Sequence, residues 1–219
     1  FMAQIFHSSV NTYVKLTIAG IALVLGLFSG GLYAANLYYG HRLYIPIEQP
    51  VQFSHKHHVG DDGIDCRYCH TSVEKAASAG LPPTHTCMSC HSQIWSDSPE
   101  LAPVRASYTS GTPISWNRVH DLPDFVYFQH SIHIKKGVGC ETCHGRVDQQ
   151  PLVKKENTMT MAWCLDCHRH PEKYLRPKEA VYKMGYKPPI PQAELGKKLV
   201  KEYKIMHPRQ LTDCYTCHH

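Results

Sequence analysis

One five-residue pattern, Cys-x-x-Cys-His, occurs five times and uses every cysteine in the chain. The copies are Cys66, Cys69, His70; Cys87, Cys90, His91; Cys140, Cys143, His144; Cys164, Cys167, His168; and Cys214, Cys217, His218. Zinc ribbons also use paired Cys-x-x-Cys, and an even cysteine count in an exported chain often means disulfides. Neither demands a histidine directly after the second cysteine, yet one stands there each time. Attachment of a c-type haem does: the two thiols add across the haem vinyl groups, and the adjacent imidazole becomes the fifth ligand of the iron. Five haem c groups are therefore expected, with His70, His91, His144, His168 and His218 as proximal ligands.

That reading constrains the fold more than any periodicity does. About 35 residues per motif follow Arg42, and the chain carries 15 prolines and 14 glycines. A conventional apolar core does not fit this composition, so much of the buried apolar surface must come from the macrocycles. The expected fold class is a multihaem cytochrome c: one N-terminal transmembrane helix, then a mostly irregular, short-helical domain wrapped around five covalent haems. The formal charge of +5 invites a nucleic-acid reading. Ten propionates from five haems outweigh that surplus, so the lysines and arginines are assigned to neutralising propionates and no nucleic-acid partner is expected.

Along the chain, residues 1–15 form a short N-terminus with Lys15 as their only formal charge. Residues 16–40 hold no ionisable Lys, Arg, Asp, Glu or His, a length suited to a bilayer core of roughly 30 Å. A cleaved signal peptide has a shorter apolar region, and Ala34, Ala35, Asn36 is a weak cleavage match, so a retained signal anchor is expected. Tyr33, Tyr38 and Tyr39 suit the far interface and Lys15 the near side. Haem attachment occurs on the outer side of an energy-transducing membrane. Residues 1–15 are thus placed in the cytoplasm and the haem domain on the periplasmic side of a bacterial inner membrane. Small residues, including Gly26 and Gly30 in a Gly-x-x-x-Gly pair, offer a face for partner helices.

Residues 41–52 read as a linker, with Pro46 and Pro50 opposing regular helix. The haem domain, 53–219, contains an internal repeat at 53–91 and 128–168, each copy joining a Phe-x-His-x-x-His segment to two haem motifs. The fifth motif, 214–218, stands outside both copies. Residues 92–127 read as loop, and Gln192 to Ile205 as a helix with Leu195, Leu199 and Tyr203 in register.

Sixth ligands come next. In Phe-x-His-x-x-His the imidazoles lie one turn apart and can serve two closely packed haems, which makes His55, His58, His130 and His133 the first candidates. For the fifth haem His120 and His207 are equal candidates, each with a bland alternative as surface imidazole or propionate partner. Met159 and Met161, ahead of Cys164, are further candidates that could instead pack against a haem face; a Met/His site would have a raised potential. No nucleophile–base constellation is visible, so no catalytic residue is assigned and one-electron relay is the expected role.

The Phe-x-His-x-x-His segment ahead of Cys-x-x-Cys-His resembles the class III multihaem cytochromes, whose haems are bis-His. Over nearly all its length the chain is similar to the pentahaem membrane-anchored cytochrome subunit of alternative complex III. That resemblance rests on the AQIF start, the single membrane helix, RVHDLPDFVYFQHSIH, GVGCETCHGRVD and MAWCLDCHRHPEKYLRP. It implies a non-catalytic redox subunit that passes electrons from a quinol-oxidising complex to a periplasmic carrier or terminal oxidase. Implied partners are integral membrane and iron–sulfur subunits and a monohaem cytochrome. Three rivals remain: a self-sufficient quinol dehydrogenase feeding periplasmic reductases, a tethered multihaem carrier, and a reductase using a five-coordinate haem.

Overall fold

The computed structural model describes residues 6, 7 and 9–218. Of the AQIF run only Phe6 falls among them. The chain divides into two compact units, residues 1–43 and 44–219.

In the first unit, helix α1 runs from Val10 to Ala35 and continues as a π-helical turn over Asn36–Gly40. It starts six residues ahead of the expected span and takes in Lys15, because nothing between Val10 and Leu16 breaks a helix. None of its residues is buried, and Leu16, Leu23, Val24, Leu27 and Phe28 are all more than half exposed. The stretch Val10–Gly40 is long and apolar enough to cross a membrane. Ser29 returns its hydroxyl to the Leu25 carbonyl at 2.5 Å, so its one polar side-chain group is satisfied within the helix.

The second unit is built from short helices and loops. Its helices are α2 (Cys66–Cys69), α3 (Thr84–His91), α4 (Ala102–Ser110), α5 (His130–Lys135), α6 (Cys140–His144), α7 (Met161–Arg169), α8 (Gln192–Glu202), α9 (Pro208–Leu211) and α10 (Cys214–Cys217). Among the described residues there is no strand, only two isolated bridges, Val126 with His218 and Val138 with Leu175. Every Cys-x-x-Cys therefore lies on a helical turn, with both sulfurs on one side of it.

Local chemistry explains the starts of these turns. Asp65 caps α2 by accepting from the Arg67 N–H at 2.8 Å, and Asp213 caps α10 by accepting from Tyr215 at 3.0 Å. Without such caps a four-residue helix has little to hold it.

Two expectations about extents change. The linker reading of 41–52 fails from Tyr44 onward: Tyr44 and Ile47 donate to the Lys155 and Val153 carbonyls, and Gln49 exchanges hydrogen bonds with Asn117 at 2.8 Å each way. The prolines keep this strip extended, and the extended strip pairs with its own domain. The loop expected at 92–127 contains α4. Val104 is 2% exposed, and Ser107 bonds Thr84 of α3 at 2.7 Å; Gly111, at φ 71°, ends the helix in the left-handed conformation.

Helix α8 ends three residues short of the expected Ile205, since Lys204 takes φ 50°. Its Leu195 and Leu199 bury against Leu175, with Val138, Val200, Tyr203 and Ile205 around them. Gly196 lets this helix approach the 171–173 turn, where a Cβ would collide with the Glu172 carbonyl. Apart from this cluster few apolar side chains of the second unit are buried: Val51, Val73, Val104, Ala180 and Val181 among the described residues.

Candidate functional site

The two Phe-x-His-x-x-His segments fold alike. Phe53 packs face-on against His58 (4.4 Å between ring centres, 26°) and edge-on against His55 (4.9 Å, 88°). Phe128 repeats this with His133 (4.7 Å, 27°) and His130 (4.8 Å, 86°). The phenyl ring wedges the two imidazoles apart, so that they face different motif histidines.

Each finds one. His55 faces His70 at 6.4 Å between ring centres, His58 faces His91 at 6.1 Å, His130 faces His144 at 6.3 Å, and His133 faces His168 at 6.3 Å. Two metal–nitrogen bonds of about 2 Å, plus about 1 Å from each nitrogen to its ring centre, add to about 6 Å. The four pairs therefore have the separation that two imidazoles take on either side of one metal ion. The motifs are called sites 1 to 5 in chain order.

Ring-nitrogen chemistry supports the same reading. In six of these eight histidines, and in His218 as well, Nδ1 meets a backbone carbonyl: His58 with Ser54 (2.9 Å), His70 with Gly80 (2.8 Å), His91 with Ile94 (3.0 Å), His130 with Ala77 (2.7 Å), His133 with Gln129 (2.7 Å), His168 with Leu211 (2.7 Å) and His218 with Phe125 (3.1 Å). A carbonyl only accepts, so Nδ1 carries the proton and the Nε2 lone pair is left for a metal. His55 and His144 lack this contact, and the buried Nδ1 of His55 has no partner. Burial lowers the pKa of His55 to about 4 and of His144 to about 3, and lowers that of His133 as well. These imidazoles are neutral at pH 7, the form in which a metal binds them.

The cysteines lie in the same places, with none of the ten in a disulfide. Neighbouring thiols give the order of the sites in space. Cys69 lies near Cys87, and Tyr68 bonds Ser89 at 2.9 Å, joining sites 1 and 2. Cys66 and Cys140 are neighbours, and His144 lies near His70 and His55, joining sites 1 and 3. Cys143, pushed up to about 12 by burial, has Cys167 and Cys164 beside it, and Cys164 has Cys217 beside it. The order is 2–1–3–4–5, with chain-order neighbours 2 and 3 separated by site 1.

The remaining candidates scatter. His120 packs edge-to-face on His144 at 4.3 Å, with Lys155 and His130 nearby and its Nε2 buried without a partner, which places it at site 3. His207 N-caps α9 by accepting from the Arg209 N–H at 3.2 Å. Met161 is 63% exposed, while Met159 is half-buried and holds φ 51°. Among the described residues no imidazole faces His218 as the other four motif histidines are faced.

Sequence reasoning missed the carbonyls that aim the imidazoles, since a backbone acceptor leaves no side-chain signature. Only the left-handed Gly80 (φ 80°), whose oxygen serves His70, carries a hint.

The sequence profile of cytochrome c7 and related cytochrome c matches residues 126–219. That region contains Phe128, His130, His133 and sites 3, 4 and 5, so the match runs on through the motif outside the repeat. The multihaem cytochrome c subunit of a menaquinone reductase from Nitratidesulfovibrio vulgaris is 43% identical over 103 residues, 47% of this chain and 48% of that protein. The chain thus spans about half the length of this curated relative. By these matches the chain is similar to multihaem cytochromes c over part of its length.

Proposed function

We propose that this chain is a membrane-anchored electron relay holding five haem c groups, working as the non-catalytic redox subunit of a quinone-linked membrane complex. Haem iron supplies one-electron redox chemistry, and the chain supplies position, ligation and burial. Cys66 and Cys69, Cys87 and Cys90, Cys140 and Cys143, Cys164 and Cys167, and Cys214 and Cys217 are the attachment residues. His70, His91, His144, His168 and His218 hold one side of each iron; His55, His58, His130 and His133 hold the other side at sites 1 to 4. The observation that carries this reading is the set of four imidazole pairs at 6.1–6.4 Å.

The apolar helix Val10–Gly40 is read as a retained anchor, with the second unit on the periplasmic face of a bacterial inner membrane. Its glycines offer room for partner helices, since a Cβ added at Gly20, Gly26, Gly30 or Gly31 meets nothing within 4 Å. Polytopic membrane and iron–sulfur subunits are the expected partners, as in alternative complex III, with a periplasmic carrier or terminal oxidase as acceptor. The relative's name supports a second direction of flow, in which electrons reach menaquinone instead of leaving quinol.

Both are tested by isolating the full chain from gently solubilised membranes through an affinity tag. Recovery of stoichiometric iron–sulfur and polytopic subunits, with haems that quinol reduces rapidly, supports quinol oxidation. The same subunits with haems that quinol does not reduce, but that menaquinone oxidises, support the reverse flow. A chain that comes away alone and is still reduced by quinol refutes the subunit reading.

A further inference from the structure

The order 2–1–3–4–5 has two ends, and the surface marks both. Of the ten cysteines only Cys90, at site 2, and Cys214, at site 5, are exposed. A relay exchanges electrons with other proteins at its ends, and at site 2 the surface is built for an encounter.

Ile94 and Trp95 are 59% and 61% exposed, and both are tied to site 2. The Ile94 carbonyl meets His91 Nδ1 at 3.0 Å. The Trp95 ring stacks on His57 (6.1 Å between ring centres, 8°), which in turn lies edge-on to His58 at 5.4 Å. Trp95 therefore sits where the segments supplying both histidines of site 2 meet. It also holds φ 55°, a left-handed backbone unfavourable for so bulky a residue. Bonds on either side impose it: His91 fixes the Ile94 carbonyl, and the Arg105 guanidinium donates to the Ser96 and Ser98 carbonyls at 2.8 Å each. Strain is spent here on holding an indole at the surface.

Carboxylates surround that ring. Asp61 and Asp62 approach His57 at 3.9 and 3.6 Å, and Asp97 and Glu100 line a shallow depression with Trp95. The nearby cations are engaged: Lys56 pairs with Asp61 at 3.1 Å, and Arg105 is bound to its two carbonyls. Asp62, Asp97 and Glu100 are left without a lysine or arginine partner among the described residues. A small apolar centre inside a charged rim suits a transient redox encounter, whereas a permanent subunit contact is larger and more apolar.

We propose that the Trp95 face is the docking surface for a small electron-carrier protein whose redox centre is ringed by lysines. This rests on the haem-relay reading. Each encounter passes one electron between the carrier and site 2, oxidising one and reducing the other; no bond forms or breaks and no proton moves.

The test uses the full chain with its associated subunits, purified from gently solubilised membranes, reduced, and mixed in a stopped-flow spectrometer with an oxidised basic monohaem cytochrome c. The rate should fall roughly tenfold between about 0.01 M and about 0.2 M ionic strength, as screening shortens the reach of the carboxylates. The double variant Asp97→Lys, Glu100→Lys should slow the low-salt reaction about fivefold and flatten its salt dependence. Trp95→Ala should slow it at every salt concentration, and Glu202→Lys on α8 should leave it unchanged. The same cytochrome with acetylated lysines should react slowly with all of them. The charge variants touch only exposed side chains, so they decide the matter if Trp95→Ala does not fold. An acetylated carrier that reacts as fast as the native one, or a rate indifferent to Asp97→Lys, Glu100→Lys, overturns the proposal. So does an effect of the variants that appears in the isolated chain but not in the intact complex, since a fixed subunit then covers this face. Haem content by the alkaline pyridine assay reports on the relay reading separately: fewer than five haems per chain overturns the haem count and the proposal with it, whereas five haems with unchanged rates overturns the docking surface alone.

Discussion

The angle between facing imidazole planes differs from site to site, and that difference has a spectroscopic consequence. The planes meet at 3° at site 1, 9° at site 3, 30° at site 4 and 66° at site 2. When two axial imidazoles are parallel, both act on the same iron d orbital and split it well away from its partner. Crossed imidazoles act on both orbitals and leave them close in energy. Sites 1 and 3 should therefore give rhombic low-spin ferric signals in electron paramagnetic resonance, and site 2 one signal with a much larger maximum g value. Under the haem reading, replacing His58 by alanine would remove the sixth ligand of site 2 alone. The large-g signal should vanish, about one-fifth of the low-spin intensity should go with it, and one high-spin haem should appear. The same change removes the ring contact with Phe53 at 4.4 Å and the hydrogen bond to Ser54 at 2.9 Å, together about 2 kcal/mol. A modest fall in Tm should therefore accompany the spectral change. Loss of a rhombic signal in place of the large-g one would refute the assignment of His58 to site 2.

Other consequences are simpler to check. Gly196→Ala forces a Cβ onto the Glu172 carbonyl; an overpacking cost of about 1–3 kcal/mol, less about 1 kcal/mol of helix propensity, should lower Tm in a thermal melt. His207→Ala should leave the low-spin fraction of the absorption spectrum unchanged, because its Nε2 carries the proton; a new high-spin band would show that it ligates iron. Arg146 holds the Asp148 carboxyl below the usual carboxylate range through bonds at 2.7 and 2.6 Å. A depressed pKa contributes stability above the unfolded value of about 4 and loses it as pH falls further. Asp148→Asn should therefore flatten the acid limb of the stability profile, and an unchanged limb would remove this pair from the account.

The histidine pairs were more legible in the sequence than the architecture that brings them together. Cys-x-x-Cys-His is a local pattern whose meaning survives any fold, and the i, i+3 spacing of His55 with His58 and His130 with His133 encodes a helical turn. The partner of each distal imidazole was less legible, because it depends on a phenyl wedge and on which loops close. Site 3 joining site 1 is a long-range event, carried by His130 and Ser131 donating to Ala77 and Ala76, and no short window of sequence contains it. Helix extents failed where backbone pairing decided them. Tyr44 to Gln52 looked like a leash because prolines forbid helix, yet an extended strip can pair with Lys155 and Val153. Lys204 ended α8 early by taking a left-handed conformation that its side chain does not advertise.

The carbonyl-bound imidazoles also tie distant parts of the chain together, and the reach of each tie differs. His91 bonds Ile94, three residues away, while His168 bonds Leu211, 43 residues away, and His218 bonds Phe125 across 93. Under the haem reading His91→Ala and His168→Ala each remove one iron ligand, so their direct effects on the haems are alike. Their structural effects should not be. Losing His91 frees one carbonyl within its own turn. Losing His168 removes the side-chain bond from α7 to the Leu211 carbonyl at the end of α9, a helix that contacts α7. Amide hydrogen exchange reads the difference: protection should fall across residues 208–218 in His168→Ala and only near 88–98 in His91→Ala. If both variants lose protection only around the substituted residue, the Nδ1–carbonyl bonds aim their rings but do not hold the domain together.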